Sequence, residues 1–220
     1  TQERVIRFFK DPEILGYQYI GNLSDYQNKN IKEDRLRQYL RLKGYADKLI
    51  DAAVMQLQQE AGNLSRGVYD ANKTVYSRLK YGIPVSESPE KPPVTVELID
   101  EANPLNNDFA IAEEVTVVEQ QEKRPDLVIY LNGIAVAVIE LKRSSISVSE
   151  GIRQNLTNQK NSFIQGFFTT MQFCMAGNES EGLRYGTFLT GEKFYMEWKD
   201  DGFKEHEEER DPVDVRISKT

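Results

Sequence analysis

Two apolar runs joined by the dipeptide Asn132-Gly133 constrain the fold of this chain more than any other feature. The runs read LVIYL before the dipeptide and IAVAVIELK after it. Asn-Gly between apolar segments is the strongest short-range signal of a β-hairpin, because both residues tolerate positive φ. Neither run has a polar face, and strands of this kind lie in sheets that helices cover on both sides. The sequence therefore predicts a buried hairpin in a sheet flanked by helices.

Charged residues stand at the open end of this predicted hairpin. Asp126 precedes the first strand, while Glu140 and Lys142 lie two residues apart at the end of the second and so share a face. Two acids can hold Mg²⁺, which typically takes one or two protein carboxylates, and the backbone carbonyl of Leu141 would point toward the same ion. Lys142 would orient or deprotonate the attacking water, or stabilise developing negative charge. The pattern favours metal-dependent phosphodiester hydrolysis.

The register of the hairpin decides whether the two acids meet. A strict two-residue turn places Asp126 opposite Ile139, so that Asp126 and Glu140 face opposite sides of the sheet. One extra residue in the hairpin brings both carboxylates to one face. We predict this extra residue, either in a three-residue turn over Leu131-Asn132-Gly133 with a glycine bulge or as a bulge near Asp126.

The motif also has an ordinary structural interpretation. A pattern as short as Pro-Asp followed by Glu-x-Lys occurs by chance, and a Glu-x-Lys pair at a strand end is usually a solvated charge pair. The context favours function, because both acids adjoin fully apolar strands and a buried charge is costly unless it has a ligand.

Composition excludes several classes of site. One cysteine, Cys174, and one histidine, His206, cannot build a zinc site or an internal disulfide. His206 lies in the acidic stretch KEHEEERD, which disfavours paired-histidine and Ser-His-Asp chemistry. The chain contains no apolar run of roughly 18 residues, so we expect no membrane span. A cytoplasmic location is expected, since unpaired cysteine fits a reducing compartment.

The chain divides by pattern into a mainly helical part, residues 1–82, and a sheet-plus-helix catalytic core, residues 94–200. We expect both to form a single domain, residues 1–220, of α/β (α+β-like) class with a mixed sheet flanked by helices. The core is predicted to contain four strands, a helix over 148–168 capped by Ser149, and two later strands over 185–190 and 193–198. The four strands are VTVELID, FAIAEEVTVVE, LVIYL and IAVAVIELK.

Pro125-Asp126 and Glu140-Leu141-Lys142 resemble the signature of the PD-(D/E)xK nuclease superfamily. More of the chain is similar to one branch, the N-terminal region of the R (restriction and translocation) subunit of type I restriction enzymes. The resemblance extends over nearly the whole chain, and the order of its parts makes it specific. The supporting stretches are ILGYQYIGN, VYDANKTVYSRLKYGIPV, GIRQNLTNQK and LRYGTFLTGEKFYMEWKD.

The resemblance implies a restriction-endonuclease-like fold and Mg²⁺-dependent cleavage of double-stranded DNA. In the family this domain precedes a helicase-like motor that uses ATP, and the chain contains no G-x-x-x-x-G-K-[ST] sequence. Because the chain also begins with threonine, we expect it to be a fragment of a longer polypeptide. Modification and specificity subunits would recognise the DNA target, which suits a domain with a net charge of −7.

Accessory residues are also implied by the resemblance. Type I enzymes carry a Q-x-x-x-Y motif on the helix after the lysine, and here Gln154 matches while Asn158 replaces the tyrosine. A helical glutamate near the N-terminus of superfamily members corresponds to Glu3. Among basic residues near the site, Arg143 and Arg153 are candidates for contacts with the DNA backbone.

Two other functions remain open at this point. One is a stand-alone PD-(D/E)xK junction resolvase or repair nuclease, which would cut DNA without ATP or partner subunits. The other is a catalytically idle module that keeps the fold to bind subunits. Such a module would hold its carboxylates too far apart to share a metal, or would engage Lys142 in a structural ion pair.

Overall fold

The computed structural model describes residues 2–88 and 90–199. His206 and its acidic stretch lie outside the described residues. The described helices are α1 (Gln2–Lys10), α2 (Glu33–Leu42), α3 (Asp47–Gly62), α4 (Val68–Tyr81) and α5 (Val148–Asn158). The described strands are β1 (Gln18–Asn22), β2 (Ile83–Val85), β3 (Val94–Val96), β4 (Phe109–Glu113), β5 (Val117–Val118), β6 (Glu122–Lys123), β7 (Leu127–Leu131), β8 (Ile134–Leu141), β9 (Phe173–Asn178), β10 (Gly182–Gly186) and β11 (Met196–Glu197).

A seven-stranded mixed sheet forms the centre of the molecule, with strand order β1-β4-β7-β8-β9-β10-β11. The pairs β1–β4 and β8–β9 are parallel, and the other neighbours are antiparallel. The predicted hairpin is therefore β7–β8, at the middle of the sheet. The predicted class, a mixed sheet flanked by helices with an N-terminal helical segment, is confirmed.

Apolar side chains cover both faces of the central hairpin. On one face, α1 contributes Val5 and Phe9 to a cluster that contains Ile129 and Ile139. On the other face, β7 and β8 pack against a 3-10 segment, Gln165–Thr170, and α5 covers the end of β8. This two-sided burial explains why neither strand of the hairpin has a polar face in the sequence.

The N-terminal helical part has its own apolar cluster, formed by α2, α3 and α4 together with β2 and β3. The segment VTVELID does not join the central sheet. Instead β3 pairs with β2 in a separate two-stranded sheet, and Val96 and Leu98 contribute fully buried side chains to this cluster. The predicted strand exists, but in shortened form and in another sheet.

Several predicted boundaries are wrong. The helix predicted over 148–168 ends at Asn158, and a turn and the 3-10 segment follow it. Its N-cap is Ser147, whose hydroxyl accepts a hydrogen bond from the backbone N–H of Ser149, so Ser149 is not the cap. The strand predicted over 109–119 ends at Glu113, and the later strands are shorter and shifted relative to 185–190 and 193–198.

The extra residue predicted in the hairpin is present, but at a third position. Asn132 and Gly133 form a two-residue turn with positive φ at both residues, 52° and 83°. The register then shifts within β8, where Val136 is the residue without a partner between the pairs of Ala135 and Ala137. The predictions of a three-residue turn and of a bulge near Asp126 are therefore both wrong. The predicted consequence, that Asp126 and Glu140 lie on the same face of the sheet, is nevertheless observed.

Candidate active site

The open end of the β7–β8 hairpin brings two carboxylates together. The last paired residues are Leu127 and Ile139, so one further step along each strand places Asp126 opposite Glu140. Asp126 Oδ2 accepts a hydrogen bond of 2.7 Å from the backbone N–H of Leu141, which fixes the aspartate side chain against the end of β8. The bulge at Val136 thus places both acids on one face of the sheet.

Glu140 is the most unusual residue of this site. Its side chain is fully buried, and among the described residues no N–H or hydroxyl group donates a hydrogen bond to either carboxylate oxygen. A hydrogen bond to the carboxyl of Asp126 forms when the two acids share a proton. Burial raises the pKa of Glu140 well above its ordinary value, and the negative charge of Asp126 raises it further. A buried carboxylate without donors costs free energy, and such a group gains most from a cation.

Asp126 is less buried than Glu140 but shares its environment. Burial is the largest cause that raises its pKa, and the hydrogen bond from Leu141 and the charge of Lys142 act in the opposite direction. In an extended strand the N–H and C=O of one residue point to the same side. Because the N–H of Leu141 points to Asp126, the carbonyl of Leu141 is also directed to the side of β8 on which Asp126 lies.

Lys142 is held beside the two acids by helix α5. Its Nζ donates a hydrogen bond of 2.6 Å to Oε1 of Gln154, and its backbone N–H bonds to the carbonyl of Gly177 on β9. The positive charge of Lys142 lies near both acids and partly opposes the rise in the pKa of Asp126 and of Glu140. Five of the predicted site residues are therefore brought together: Asp126, Glu140, Leu141, Lys142 and Gln154.

Helix α5 approaches this end of the sheet closely because it contains Gly151. A Cβ on Gly151 would lie 2.9 Å from the Cβ of Ala176 and 3.4 Å from the Cβ of Glu140. The helix therefore covers Glu140 directly and contributes to its burial, while Gln154, three residues later, reaches Lys142. Sequence reasoning missed this role, although a glycine within a predicted helix is a signal of close packing.

Two of the other predicted accessory residues, Glu3 and Arg153, are not part of this group. Glu3 is exposed on α1, which packs against the face of the sheet that carries Ile139 rather than Glu140. Arg153 makes ion pairs with Glu150 and Glu192, which tie α5 to a 3-10 segment, Glu192–Phe194.

Arg143 precedes α5 by five residues, and Asn158 is the last residue of this helix. Arg143 is exposed directly after Lys142, and Asn158 is buried at the end of the helix. Their functional roles, like those of Glu3 and Arg153, stay predictions.

The site contains a further acid that sequence reasoning missed. Glu114 follows β4 and donates its backbone N–H to the carbonyl of Asp126, at 2.8 Å. Its negative charge contributes to the raised pKa of Asp126 and of Glu140. In the sequence it is one of two adjacent glutamates, Glu113-Glu114, and no pattern distinguishes them.

The residues of the site fit a hard divalent cation held mainly through water. Within residues 2–88 and 90–199, no group of three acidic, histidine or cysteine side chains is arranged to hold a metal ion. Two adjoining carboxylates, of which Glu140 has both oxygens without a hydrogen-bond donor among the described residues, are nevertheless enough for Mg²⁺, which keeps several waters in its shell. Asp126 and Glu140 supply this donor set.

Comparison with known proteins agrees with the resemblance seen in the motifs. A model of the family described as type I restriction enzyme R protein N terminus matches residues 1–194. A search of curated proteins gave no match. No helix in the described part of the chain is long and apolar enough to cross a membrane. With 194 of 220 residues matched, the chain belongs to the family of type I restriction enzyme R protein N-terminal domains.

Proposed function

We propose that this domain is the Mg²⁺-dependent endonuclease of a type I restriction enzyme and hydrolyses double-stranded DNA. The observation that carries the proposal is Glu140, a fully buried carboxylate opposite Asp126 that receives no hydrogen bond from an N–H or hydroxyl group of the described residues. A purely structural position would favour an apolar residue there, because an unsatisfied buried carboxylate destabilises the fold. A cation is the partner that this arrangement fits.

Asp126 and Glu140 would hold the cation with their carboxylates, together with the carbonyl of Leu141. When bound, Mg²⁺ supplies neutralisation of the scissile phosphate and a more acidic water. The hydrogen bond from the Leu141 N–H keeps one oxygen of Asp126 in a fixed position. The second oxygen of Asp126 and both oxygens of Glu140 remain available as ligands.

Lys142 would orient the attacking water or stabilise the negative charge that develops on the phosphate. Oε1 of Gln154 accepts a hydrogen bond from the Lys142 ammonium group and so restricts where the amine can point. The partner is a neutral amide rather than a carboxylate, so this contact is a hydrogen bond and not an ion pair. An idle docking module would instead engage Lys142 in a structural ion pair.

The family to which the chain belongs supports DNA as the substrate and other restriction subunits as partners. A net charge of −7 disfavours strong binding of DNA by this domain alone, so modification and specificity subunits would supply recognition of the target. A helicase-like motor elsewhere on the polypeptide would use ATP to move DNA. Arg143, exposed beside Lys142, is the basic residue placed best to contact the backbone near the site.

The proposal is tested in the complete R subunit assembled with its modification and specificity subunits. With Mg²⁺ and ATP, Asp126→Ala and Lys142→Ala should each reduce DNA cleavage by at least about a thousandfold, because each removes a group that acts in the transition state. ATP hydrolysis and translocation should remain at wild-type rates, since the motor lies outside this domain.

Lys48→Ala is the matched control, because Lys48 is an exposed lysine on α3 in the N-terminal helical part. It should cut DNA as the wild type does. Normal cleavage by Asp126→Ala and Lys142→Ala would disprove the nuclease assignment. Full cleavage by the R subunit without ATP or partners would instead support a stand-alone nuclease.

A further inference from the structure

Three neighbouring strand ends carry acids at the candidate active site. Glu114 follows β4, Asp126 precedes β7, and Glu140 lies near the end of β8, in the order in which these strands pair. The backbone N–H of Glu114 bonds to the carbonyl of Asp126, so the first two acids are adjacent. The residue before Glu114, Glu113, instead bonds to Tyr19 and Gln2.

The backbone of Glu114 is in the left-handed region, with φ of 51°. Among the described residues other than glycine, only Asn132 and Leu189 share a positive φ. Asparagine and glycine adopt this conformation readily, but a glutamate there costs free energy because its Cβ crowds the backbone. Strained residues of this kind concentrate at functional sites, where the side chain has a role that offsets the strain.

The charge of Glu114 is only partly balanced. Its Oε2 lies 2.8 Å from Nε of Arg124, and both side chains retain access to solvent, at 26% and 57% exposure. A third negative charge beside Asp126 and Glu140 is unfavourable without a cation, because like charges repel at short distance. Glu114 therefore adds to the electrostatic attraction of the site for a cation.

We propose that Glu114 is a positioning residue of the metal centre, an inference that rests on the proposed function. Glu114 binds a water of the cation's shell, and Arg124 holds the Glu114 carboxylate in place. The three acids are not arranged as direct ligands to one ion, so Glu114 acts through water. Mg²⁺ retains several waters in proteins, and carboxylates outside its inner shell orient those waters.

The test measures cation binding in the complete R subunit without ATP, by calorimetric titration with Mn²⁺. Glu140→Gln removes an inner ligand and defines the heat that comes from ions bound elsewhere. Relative to wild type, Glu114→Gln and Glu114→Gly should each bind Mn²⁺ about tenfold more weakly, as is typical of outer-shell partners. Glu113→Gln is the matched control and should bind as the wild type does.

Thermal unfolding separates this role from a structural one. Glu114→Gly relieves the positive φ, so its Tm should equal or exceed that of the wild type even though its Mn²⁺ affinity falls. Wild-type affinity in both Glu114 variants would overturn the inference. So would a loss of affinity in Glu114→Gly accompanied by a lower Tm, because the glutamate would then support the fold.

The same titration distinguishes failure of this inference from failure of the proposed function. If Glu140→Gln abolishes Mn²⁺ binding at the site while Glu114→Gln leaves it intact, only the role of Glu114 is wrong. If Glu140→Gln binds Mn²⁺ as the wild type does, the proposal that Asp126 and Glu140 hold the cation is wrong, and the role proposed for Glu114 is wrong as well.

Discussion

Each end of the β7–β8 hairpin buries one polar side chain completely, but the two buried groups differ in their hydrogen bonding. At the turn, the side chain of Asn132 is fully buried, and its amide bonds to the N–H of Asp108, the carbonyl of Leu98 and the side chain of Asn107. At the open end, Glu140 is also fully buried, and no N–H or hydroxyl group of the described residues donates a hydrogen bond to its oxygens. A buried polar group with hydrogen-bond partners stabilises the fold, whereas a buried carboxylate without hydrogen-bond donors is suited to bind a ligand.

The turn end also carries the contact between the sheet and the N-terminal helical part. Gly133 accepts a hydrogen bond from the N–H of Lys32, just before α2. A Cβ on Gly133 would lie 2.6 Å from the Lys32 carbonyl oxygen and 2.8 Å from the Leu36 nitrogen. This end of the hairpin therefore tolerates little change, because backbone atoms surround it.

The largest expected effect on stability follows from a substitution at the turn. Gly133→Ala places a Cβ against the backbone of α2 and imposes a φ of 83° on alanine. We expect a loss of about 3 kcal/mol in the free energy of unfolding, from the left-handed backbone and the steric overlap together. Chemical denaturation of the purified protein measures this value.

Gly62→Ala is the control for the turn substitution. Gly62 ends α3, and no atom lies within 4 Å of the Cβ that alanine would add. Its stability should stay within about 0.5 kcal/mol of the wild type, which is usual for surface positions. A Gly133→Ala protein as stable as this control would contradict the contrast between the two ends.

A smaller effect, of opposite sign, is expected at the open end. Without divalent cations at pH 7.5, Glu140→Gln should stabilise the protein by on the order of 1–2 kcal/mol, because it removes a carboxylate whose ionisation burial opposes. Gln keeps the size of the side chain, so packing against Gly151 is preserved.

The stability difference between Glu140→Gln and the wild type should depend on pH. The pKa of Glu140 is raised in the folded state, so the wild type loses stability as pH rises from the ordinary value of 4.5 through the raised value. The advantage of Glu140→Gln should therefore vanish near pH 4 and grow with pH. Glu122→Gln, at an exposed position, should show no such trend. A Glu140→Gln variant less stable than the wild type at pH 7.5 would show that the carboxylate has an internal partner.

Local signals were sufficient to predict the hairpin and the meeting of its two acids. Asn132-Gly133 specified the turn, and the need for Asp126 and Glu140 to share a face required one extra residue. The position of that residue, Val136, was not predictable, because a bulge inside an apolar run leaves no mark on the hydrophobic pattern. Tertiary packing across the sheet decides where the register shifts.

Strand β9 and Glu114 were also missed, for different reasons. β9 reads FCMAGN, and residues such as Met, Ala and Gly have weak strand propensity, so only its place between β8 and β10 makes it a strand. Glu114 is distinguished by a backbone conformation and by the strand ends around it. Both features arise from contacts between distant parts of the chain, which local patterns do not contain.

The central claim is that Asp126 and Glu140 bind one divalent cation. Crystals of the protein soaked in Mn²⁺ and measured at the manganese absorption edge test it directly. The account predicts an anomalous peak within about 2.5 Å of a carboxylate oxygen of each residue, as expected for oxygen ligands of a hard cation. Loss of the peak in Glu140→Gln crystals would confirm its source. A wild-type map with no peak between these two side chains would contradict the account.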